Sequence, residues 1–211
     1  MDFSFNVNTL FSEEISVVRS DLIPEGYSGE LNHSLVQQQV SSILDAMGEA
    51  SSKAQGLKQQ ITSGLKFRQT EGQTAYILVD KYSNGGKGSV IGLLKVGHKT
   101  LFLLDSEGKS QEMIPNCVLD FYVEERRQRS GCGKKLFEYM LYKEGTHPRY
   151  MAIDRPSIKF ISFLKKHYGL VNSIPQVNNY VVFSGFFKDR PQDCSPTPKK
   201  ARIIMGKLQY V

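Results

Sequence analysis

The spacing of apolar residues predicts a long helix followed by several strands in the first part of the chain. Residues 31–50 place apolar side chains at every third or fourth position, a period typical of one face of an α-helix. The segments 75–79, 89–96, 101–104 and 117–123 are short apolar runs, and turn residues such as glycine and asparagine separate several of them. These four segments are therefore predicted to be β-strands.

Helical and strand patterns alternate in the next part of the chain. We predict a helix over 134–143, a strand over 151–153, a helix over about 156–168 and a strand over 180–183. This order predicts an α/β (mixed α+β) fold, in which helices cover both faces of a mixed sheet. We expect one domain over residues 1–190.

Four stretches are less regular. Short apolar segments at 3–7 and 15–18 predict edge strands. The polar stretch 51–73 has the composition of a loop, but apolar residues four positions apart make a second, polar helix an equal alternative. Residues 191–211 are rich in proline, serine and lysine, and we expect them to form a flexible tail.

Composition narrows the class of protein. Of the 211 residues, 40% are hydrophobic and 23% are charged, which is an ordinary globular mixture. No apolar run approaches the roughly 18 residues of a membrane span, and the first residues do not resemble a secretory signal. Cys117, Cys132 and Cys194 have neither paired nor metal-ligand spacing. We therefore expect an intracellular protein without disulfides or a bound metal.

Positive charge is concentrated in one part of the chain. Residues 126–166 contain 11 Lys or Arg against 3 Asp or Glu, while the whole chain has a net charge of +6. Such a stretch favours an anionic partner, which can be a phosphate-bearing ligand, a nucleic acid or an acidic protein. A solvated cationic face is the alternative.

A glycine-rich loop, residues 128–133 with the sequence Gln-Arg-Ser-Gly-Cys-Gly, joins a predicted strand to a predicted helix. Glycines let the backbone approach a ligand closely, and the free N–H groups of a helix N-terminus attract phosphate. Arg129 and Lys134 add full charges. The loop matches neither the Walker nor the dinucleotide fingerprint, so spacing alone also permits a turn that serves packing only.

Longer motifs around this loop resemble the α-tubulin N-acetyltransferase family of the GNAT superfamily. The resemblance covers residues 1–188, and its motifs are long and idiosyncratic. They lie at 119–123, 128–133, 136–141, 152–157, 163–168 and 175–180. The chain departs from the family in the charged segment 124–127 and in Cys132.

The resemblance implies a central twisted mixed sheet flanked by helices, with acetyl-CoA bound where two neighbouring strands splay apart. It places the cofactor contacts in two stretches. The first is Phe121, Tyr122, Val123, Glu124, Glu125, Arg126, Arg127, Gln128, Arg129, Ser130, Gly131, Cys132, Gly133 and Lys134. The second is Ser157, Ile158, Lys159, Phe160, Ile161, Ser162, Phe163, Leu164, Lys165 and Lys166.

Acetyl transfer to a lysine requires a neutral amine. An amine with a pKa of about 10.4 is neutral only about one part in 10³ at pH 7, so a general base is useful. The resemblance places Asp154 and Cys117 in the substrate cleft, and either can serve as that base. It also links Gln55 to activity, as a hydrogen-bonding group. A backbone N–H of the strand 119–123 is the simplest oxyanion donor.

The resemblance implies direct attack of a luminal α-tubulin lysine on acetyl-CoA. It implies a monomer that acts in the cytoplasm on microtubules, in cilia or axons. Two alternatives stay open: an acetyltransferase for another protein or small-molecule amine, and a non-catalytic microtubule-binding module. Nucleic-acid binding is not expected, because the aromatics of the basic region have a spacing that suits helix packing better than base stacking.

Overall fold

A computed structural model describes residues 1–188 and 190. Its helices are α1 His33–Ala54, α2 Gly64–Gln69, α3 Cys132–Glu144 and α4 Ile158–Tyr168. Its strands are β1 Ile15–Val18, β2 Gln73–Asp80, β3 Ser89–His98, β4 Leu101–Leu104, β5 Ser110–Met113, β6 Asn116–Val123, β7 Ala152–Asp154, β8 Ser173–Ile174 and β9 Tyr180–Phe183.

Seven of these strands form one mixed sheet, in the order β1-β2-β3-β6-β7-β9-β8. Its pairs are antiparallel except for the central pair β6–β7, which is parallel. The strands β4 and β5 form a separate hairpin. Helix α1 packs on one face of the large sheet, whereas α3 and α4 pack on the other. The predicted mixed α/β fold is thus confirmed.

The irregular stretches resolve in different ways. The segment 15–18 is the predicted edge strand, but residues 3–7 form no strand, and a short 3-10 helix spans Val7–Thr9. The polar stretch 51–73 contains the end of α1, a loop and the short helix α2. Pattern analysis missed β5 and β8, which are too short and too polar to show a strand period. The expected tail, 191–211, lies outside the described residues.

The parallel strands β6 and β7 stay together for only two residue pairs. Cys117 pairs with Ala152 and Val118 pairs with Ile153, after which β7 ends at Asp154. Strand β6 continues to Val123 and pairs there only with β3. The backbone of β6 beyond Val118 is therefore open on the β7 side, and this opening is the cleft expected between splayed strands.

A β-bulge interrupts the pairing of β3 with β6 at the level of the cleft. Lys95 lies opposite Asp120, but the next residue of β3, Val96, lies opposite Val118, so Leu119 is an extra residue on β6. A bulge changes the alternation of side chains along its strand. It places Asp120 on the α1 face of the sheet, the same face as its neighbour Leu119.

The loop after α1 lies very close to that helix at Gly48. A Cβ at residue 48 would stand directly against the backbone carbonyl of Thr62. The absence of a side chain at Gly48 is what lets Thr62 pack against the helix and be fully buried there.

We predict that Gly48→Ala destabilises the fold by about 1–3 kcal/mol, the usual cost of overpacking. The backbone of Thr62 must move, and this outweighs the gain of about 1 kcal/mol in helix propensity. Urea denaturation measures the change. Gly133→Ala is the matched control, because its Cβ would make only ordinary contacts of 3.5 and 3.7 Å. Equal stability of the two variants would contradict the prediction.

Candidate active site

The glycine-rich loop builds an anion cradle at the start of α3. Gly131 occupies the N-cap with φ of 88°, a left-handed conformation that favours glycine, and no side chain caps the helix there. The space in front of Gly131 is open, since a Cβ would meet nothing within 4 Å. The N–H groups of the first helical turn lack intrahelical acceptors and are therefore available to a phosphate group.

Side chains inside the loop hold the cradle in shape. The Gln128 Nε2 donates to the carbonyl oxygen of Val123 at 2.9 Å, which ties the loop to the end of β6. The Ser130 hydroxyl donates to the Arg127 carbonyl at 2.6 Å. Arg129 adopts φ of 62°, which is uncommon for a residue with a side chain. These contacts fix the shape of the loop in front of α3.

Not every predicted cation faces the cradle. Arg127 forms an ion pair with Asp80 and also donates to the Ser83 hydroxyl, so its charge is already paired. Lys134 pairs with Glu138 along α3 at 3.5 Å. Five cations of the two predicted stretches are exposed and have no ion pair among the described residues: Arg126, Arg129, Lys159, Lys165 and Lys166.

The predicted acidic contacts of the first stretch already have partners. Glu124 pairs with the amino group of Met1 at 2.9 Å. Glu125 accepts a hydrogen bond from the Tyr122 hydroxyl at 2.8 Å, which is the main reason that its pKa is lowered. Neither carboxylate is placed to bind phosphate, which it would repel. These two residues can contribute only through their backbone.

Several predicted cofactor residues are core residues. Phe121 packs on Phe160 with ring centroids 5.0 Å apart, and Tyr122, Val123, Phe160 and Leu164 are buried. Their side chains pack between the sheet and the helices. The remaining members of the two stretches are exposed or half-buried, and these are Ser130, Gly131, Cys132, Gly133, Ser157, Ile158, Ile161, Ser162 and Phe163.

The second predicted stretch begins at the N-terminus of α4. Ser157 is the N-cap, and its hydroxyl accepts from the N–H of Phe160 at 3.2 Å. This helix start is therefore already capped, unlike that of α3.

Asp154 lies at the end of β7, where the cleft opens. It shares the sheet face of Ala152, and its carboxylate is half-buried. Burial raises the pKa of Asp154, and the charges of Arg155, Lys95 and Lys99 partly oppose that rise. A carboxylate with a raised pKa is a better proton acceptor than an ordinary aspartate.

Cys117 lies beside Asp154 but is fully buried. Burial, together with the nearby charge of Asp154, raises the pKa of the thiol to about 12. The sulfur is 3.4 Å from the carbonyl oxygen of Pro115, to which it donates. A thiol that stays protonated at neutral pH is a poor base, so this geometry favours Asp154 of the two candidates left open by the sequence.

Gln55 terminates α1 and belongs to a buried polar cluster that pattern analysis missed. Its Nε2 donates to the Ser51 hydroxyl at 2.8 Å and to Asp120 Oδ1 at 3.3 Å. Ser51 and Thr62 donate to the two oxygens of Asp120 at 2.6 and 2.5 Å. Asp120 is only 4% exposed. The signal was present in the sequence, because a charged residue within an apolar strand needs buried partners.

Lys95 is the second charged residue in an apolar strand. It is 5% exposed, and its Nζ donates to the carbonyl oxygen of Ile61 at 2.9 Å. Burial lowers the pKa of Lys95, and the charge of Asp120 opposes that effect. The pair places one cation and one anion next to each other beneath the cleft.

Tyr180 is another neighbour of Asp154 that the sequence did not reveal. It lies opposite Asp154 in the β7–β9 pair. Burial raises its pKa, and the charges of Asp154 and Cys117 add to this effect. The hydroxyl therefore stays protonated and can act only as a hydrogen-bonding group beside the candidate base.

A mixed sheet whose central parallel strands part beside a glycine-rich helix start defines the N-acetyltransferase class of fold. The family described as "GNAT acetyltransferase, Mec-17" matches residues 3–208 of the sequence. The chain belongs to this family.

Curated relatives agree with this assignment. Alpha-tubulin N-acetyltransferase 1 of Danio rerio is 50% identical over 192 residues, which are 90% of this chain and 63% of the relative. Alpha-tubulin N-acetyltransferases of Aedes aegypti and Trichoplax adhaerens are 42% and 45% identical; the matches cover 90% and 89% of this chain, and 70% and 82% of those proteins. The chain thus spans less than two thirds of the Danio rerio relative. No helix in the described ranges is long and apolar enough to cross a membrane.

We predict that Gly131→Trp abolishes acetyl-CoA binding while the chain stays folded, because the indole would fill the open space of the cradle. Gly145→Trp is the matched control. Gly145 also has a positive φ and open space, but it lies at the opposite end of α3. Calorimetry with acetyl-CoA compares the two variants. Equal affinities would exclude the glycine loop as the binding site.

Proposed function

We propose that this chain transfers the acetyl group of acetyl-CoA to the ε-amine of a luminal lysine of α-tubulin in microtubules. One arrangement carries the proposal: an anion cradle and a half-buried carboxylate lie on the two sides of a single opening between β6 and β7. Family membership and the printed names of the relatives support acetyl transfer and the tubulin substrate.

Acetyl-CoA binds with its pyrophosphate on the N-terminus of α3 and its pantetheine arm along the open edge of β6. The loop 128–133 contacts the phosphates, and exposed lysines of α4 add charge. The backbone of β6 beyond Val118 offers hydrogen bonds to the pantetheine amides and to the thioester oxygen.

Asp154 accepts a proton from the lysine ammonium, and the neutral amine then attacks the thioester carbonyl carbon directly in a ternary complex. A new C–N bond forms and the C–S bond breaks, and the thiolate of CoA takes up the second proton, which the nitrogen loses as it becomes an amide. Asp154 is suited to the first step because burial raises its pKa while the neighbouring cations keep its ionised form accessible.

A protein substrate is supported by an apolar surface beside the cleft. The apolar rim comprises Phe102, Ile114 and Val177, which are 61%, 41% and 86% exposed. Asn178 donates to the Phe102 carbonyl at 3.1 Å and so joins the chain next to Val177 to β4. Two residues after Asn178, Tyr180 pairs with Asp154. An apolar surface at this position fits a macromolecule better than a small amine.

Nucleic-acid binding is less well supported than protein binding. Phe137 and Phe160 of the basic region are buried between the sheet and the helices, where they make an edge-to-face contact with each other and cannot stack on bases. We infer a monomeric enzyme that acts on microtubules in the cytoplasm, in cilia or axons, and uses no metal.

The direct test combines the protein, acetyl-CoA and polymerised tubulin, followed by mass spectrometry for acetyl-lysine. We expect Asp154→Asn to lower the rate by about 10²–10⁴-fold, the usual effect of losing a general base, with unchanged acetyl-CoA affinity.

The pH dependence of the wild-type rate gives a second prediction. Because the pKa of Asp154 is raised, we expect the rate to fall on acidification at a pH above the ordinary aspartate value of about 3.9.

Tubulin that stays unmodified by the wild-type protein would refute the proposed function, leaving the non-catalytic binding module as the alternative. Acetylation of free amines but not of tubulin would instead favour another substrate. An Asp154→Asn variant with nearly wild-type turnover would exclude Asp154 as the base and make Cys117 the next residue to test.

We predict that Phe102→Ala raises the KM for microtubules roughly 5- to 30-fold, the effect of removing an interfacial aromatic side chain worth about 1–2 kcal/mol. The affinity for acetyl-CoA should not change, because Phe102 lies on the β4–β5 hairpin and not at the cradle. Tyr142→Ala is the control, since this exposed ring lies on α3. Equal KM values for the two variants would refute docking at the apolar rim.

A further inference from the structure

The amide of Gln55 has only one orientation that satisfies its buried neighbours. Ser51 gives its single hydroxyl proton to Asp120 Oδ1 at 2.6 Å, so the Ser51 oxygen can only accept from Gln55. Asp120 Oδ1 is also an acceptor toward Gln55, at 3.3 Å. If the amide were flipped, its Oε1 would face two acceptors with no proton between them.

The inward position of Nε2 leaves Oε1 as the outward group of Gln55. Within residues 1–188 and 190 no hydrogen bond to this oxygen is present, and Gln55 is partly exposed at the end of α1. Asp120 and Asp154 both lie on the α1 face of the sheet, and besides burial the charge of Asp120 contributes to the raised pKa of Asp154. The Gln55 amide and the candidate base therefore lie on the same side of the sheet.

We propose that Asp120 is a positioning residue: it fixes Gln55 with the amide oxygen directed into the cleft, where that oxygen accepts a hydrogen bond from the substrate lysine amine. This inference rests on the proposed acetyl transfer. An N–H of the attacking amine pointing at Oε1 sets the direction of the nitrogen lone pair. The bond strengthens as the nitrogen gains positive charge during attack, so it favours the transition state.

The surrounding fold is arranged to hold Asp120 in this place. The bulge at Leu119 places Asp120 on the α1 face of the sheet. Gly48 lets the loop after α1 approach closely enough for Thr62 to donate to Asp120 Oδ2 at 2.5 Å. The carboxylate is therefore fixed from two sides before Gln55 binds to it.

Exchange of donor and acceptor between the two side chains tests the proposal. Asp120→Asn presents an N–H that lets the amide of Gln55 flip, and we expect kcat to fall roughly 10- to 100-fold, as for a lost hydrogen bond to a charged group. Gln55→Glu removes the inward donor and should cause a similar loss. In the Asp120→Asn/Gln55→Glu double variant, the new amide can donate to the new carboxylate, and an outward acceptor is restored.

We expect the double variant to turn over at least about tenfold faster than either single variant, which is the rescue of one oriented hydrogen bond. A purely structural Asp120 predicts the opposite, with losses that multiply. Asp45→Asn/Gln55→Glu is the control. Asp45 also accepts a hydrogen bond from the loop after α1, from the N–H of Gly64 at 2.9 Å, but it does not contact Gln55. No rescue is expected from it. Multiplied losses, or a wild-type kcat for Asp120→Asn, would overturn the inference.

A second pair of variants keeps the inference testable if the double variant does not fold. Ser51→Ala removes a hydroxyl that donates to Asp120 and also accepts from Gln55. Thr62→Val removes only a hydroxyl that donates to Asp120. At matched thermal stability and acetyl-CoA affinity, Ser51→Ala should lower kcat more. Equal kcat values would overturn the positioning role. Wild-type protein that leaves tubulin unmodified would refute the proposed function itself, whereas active wild type without rescue refutes only this inference.

Discussion

The buried carboxylate of Asp120 is the constraint on which the geometry of the cleft depends. A charge that is almost completely removed from water must be satisfied by hydrogen bonds or opposite charge. Here α1 and the loop after it donate the hydrogen bonds, and Lys95 of β3 supplies a nearby positive charge. These contacts tie the end of α1 to the centre of the sheet. Loss of any one donor would leave part of the charge unsatisfied, so the elements on this side of the cleft hold each other in place.

The two ends of the cleft have opposite electrostatic character. At the α3 end, free backbone N–H groups and exposed cations attract phosphate. At the β7 end, a half-buried carboxylate lies among Arg155, Lys95 and Lys99, which keep it ionisable despite its burial. A long anionic donor and a cationic lysine can therefore enter from different sides and meet where β6 and β7 part.

Much of the fold followed from local patterns. The 3.6-residue period of α1 and the β-branched runs of the central strands are strong signals, and each appears within a few residues of its predicted place. The loop at Gly131 was identified because a strand, two glycines and a basic helix follow each other directly in the chain. The weak elements, β5 and β8, escaped because two to four half-exposed residues carry no period. The roles of Gln55, Cys117 and Asp154 came from family resemblance and remain predictions.

The sequence by itself determined the longer helices and strands, the position of the glycine-rich loop before α3 and the membership of the family, because these depend on residues that are neighbours along the chain. Only the tertiary structure decided which charged groups meet. Asp120 joins Ser51 and Thr62, 69 and 58 positions away. These hydrogen bonds require the bulge at Leu119, which places Asp120 on the α1 face. They also require Gly48, which leaves room for the backbone of Thr62. The position of Asp120 thus depends on strand register and close packing, and the local pattern of apolar and polar residues predicts neither of them.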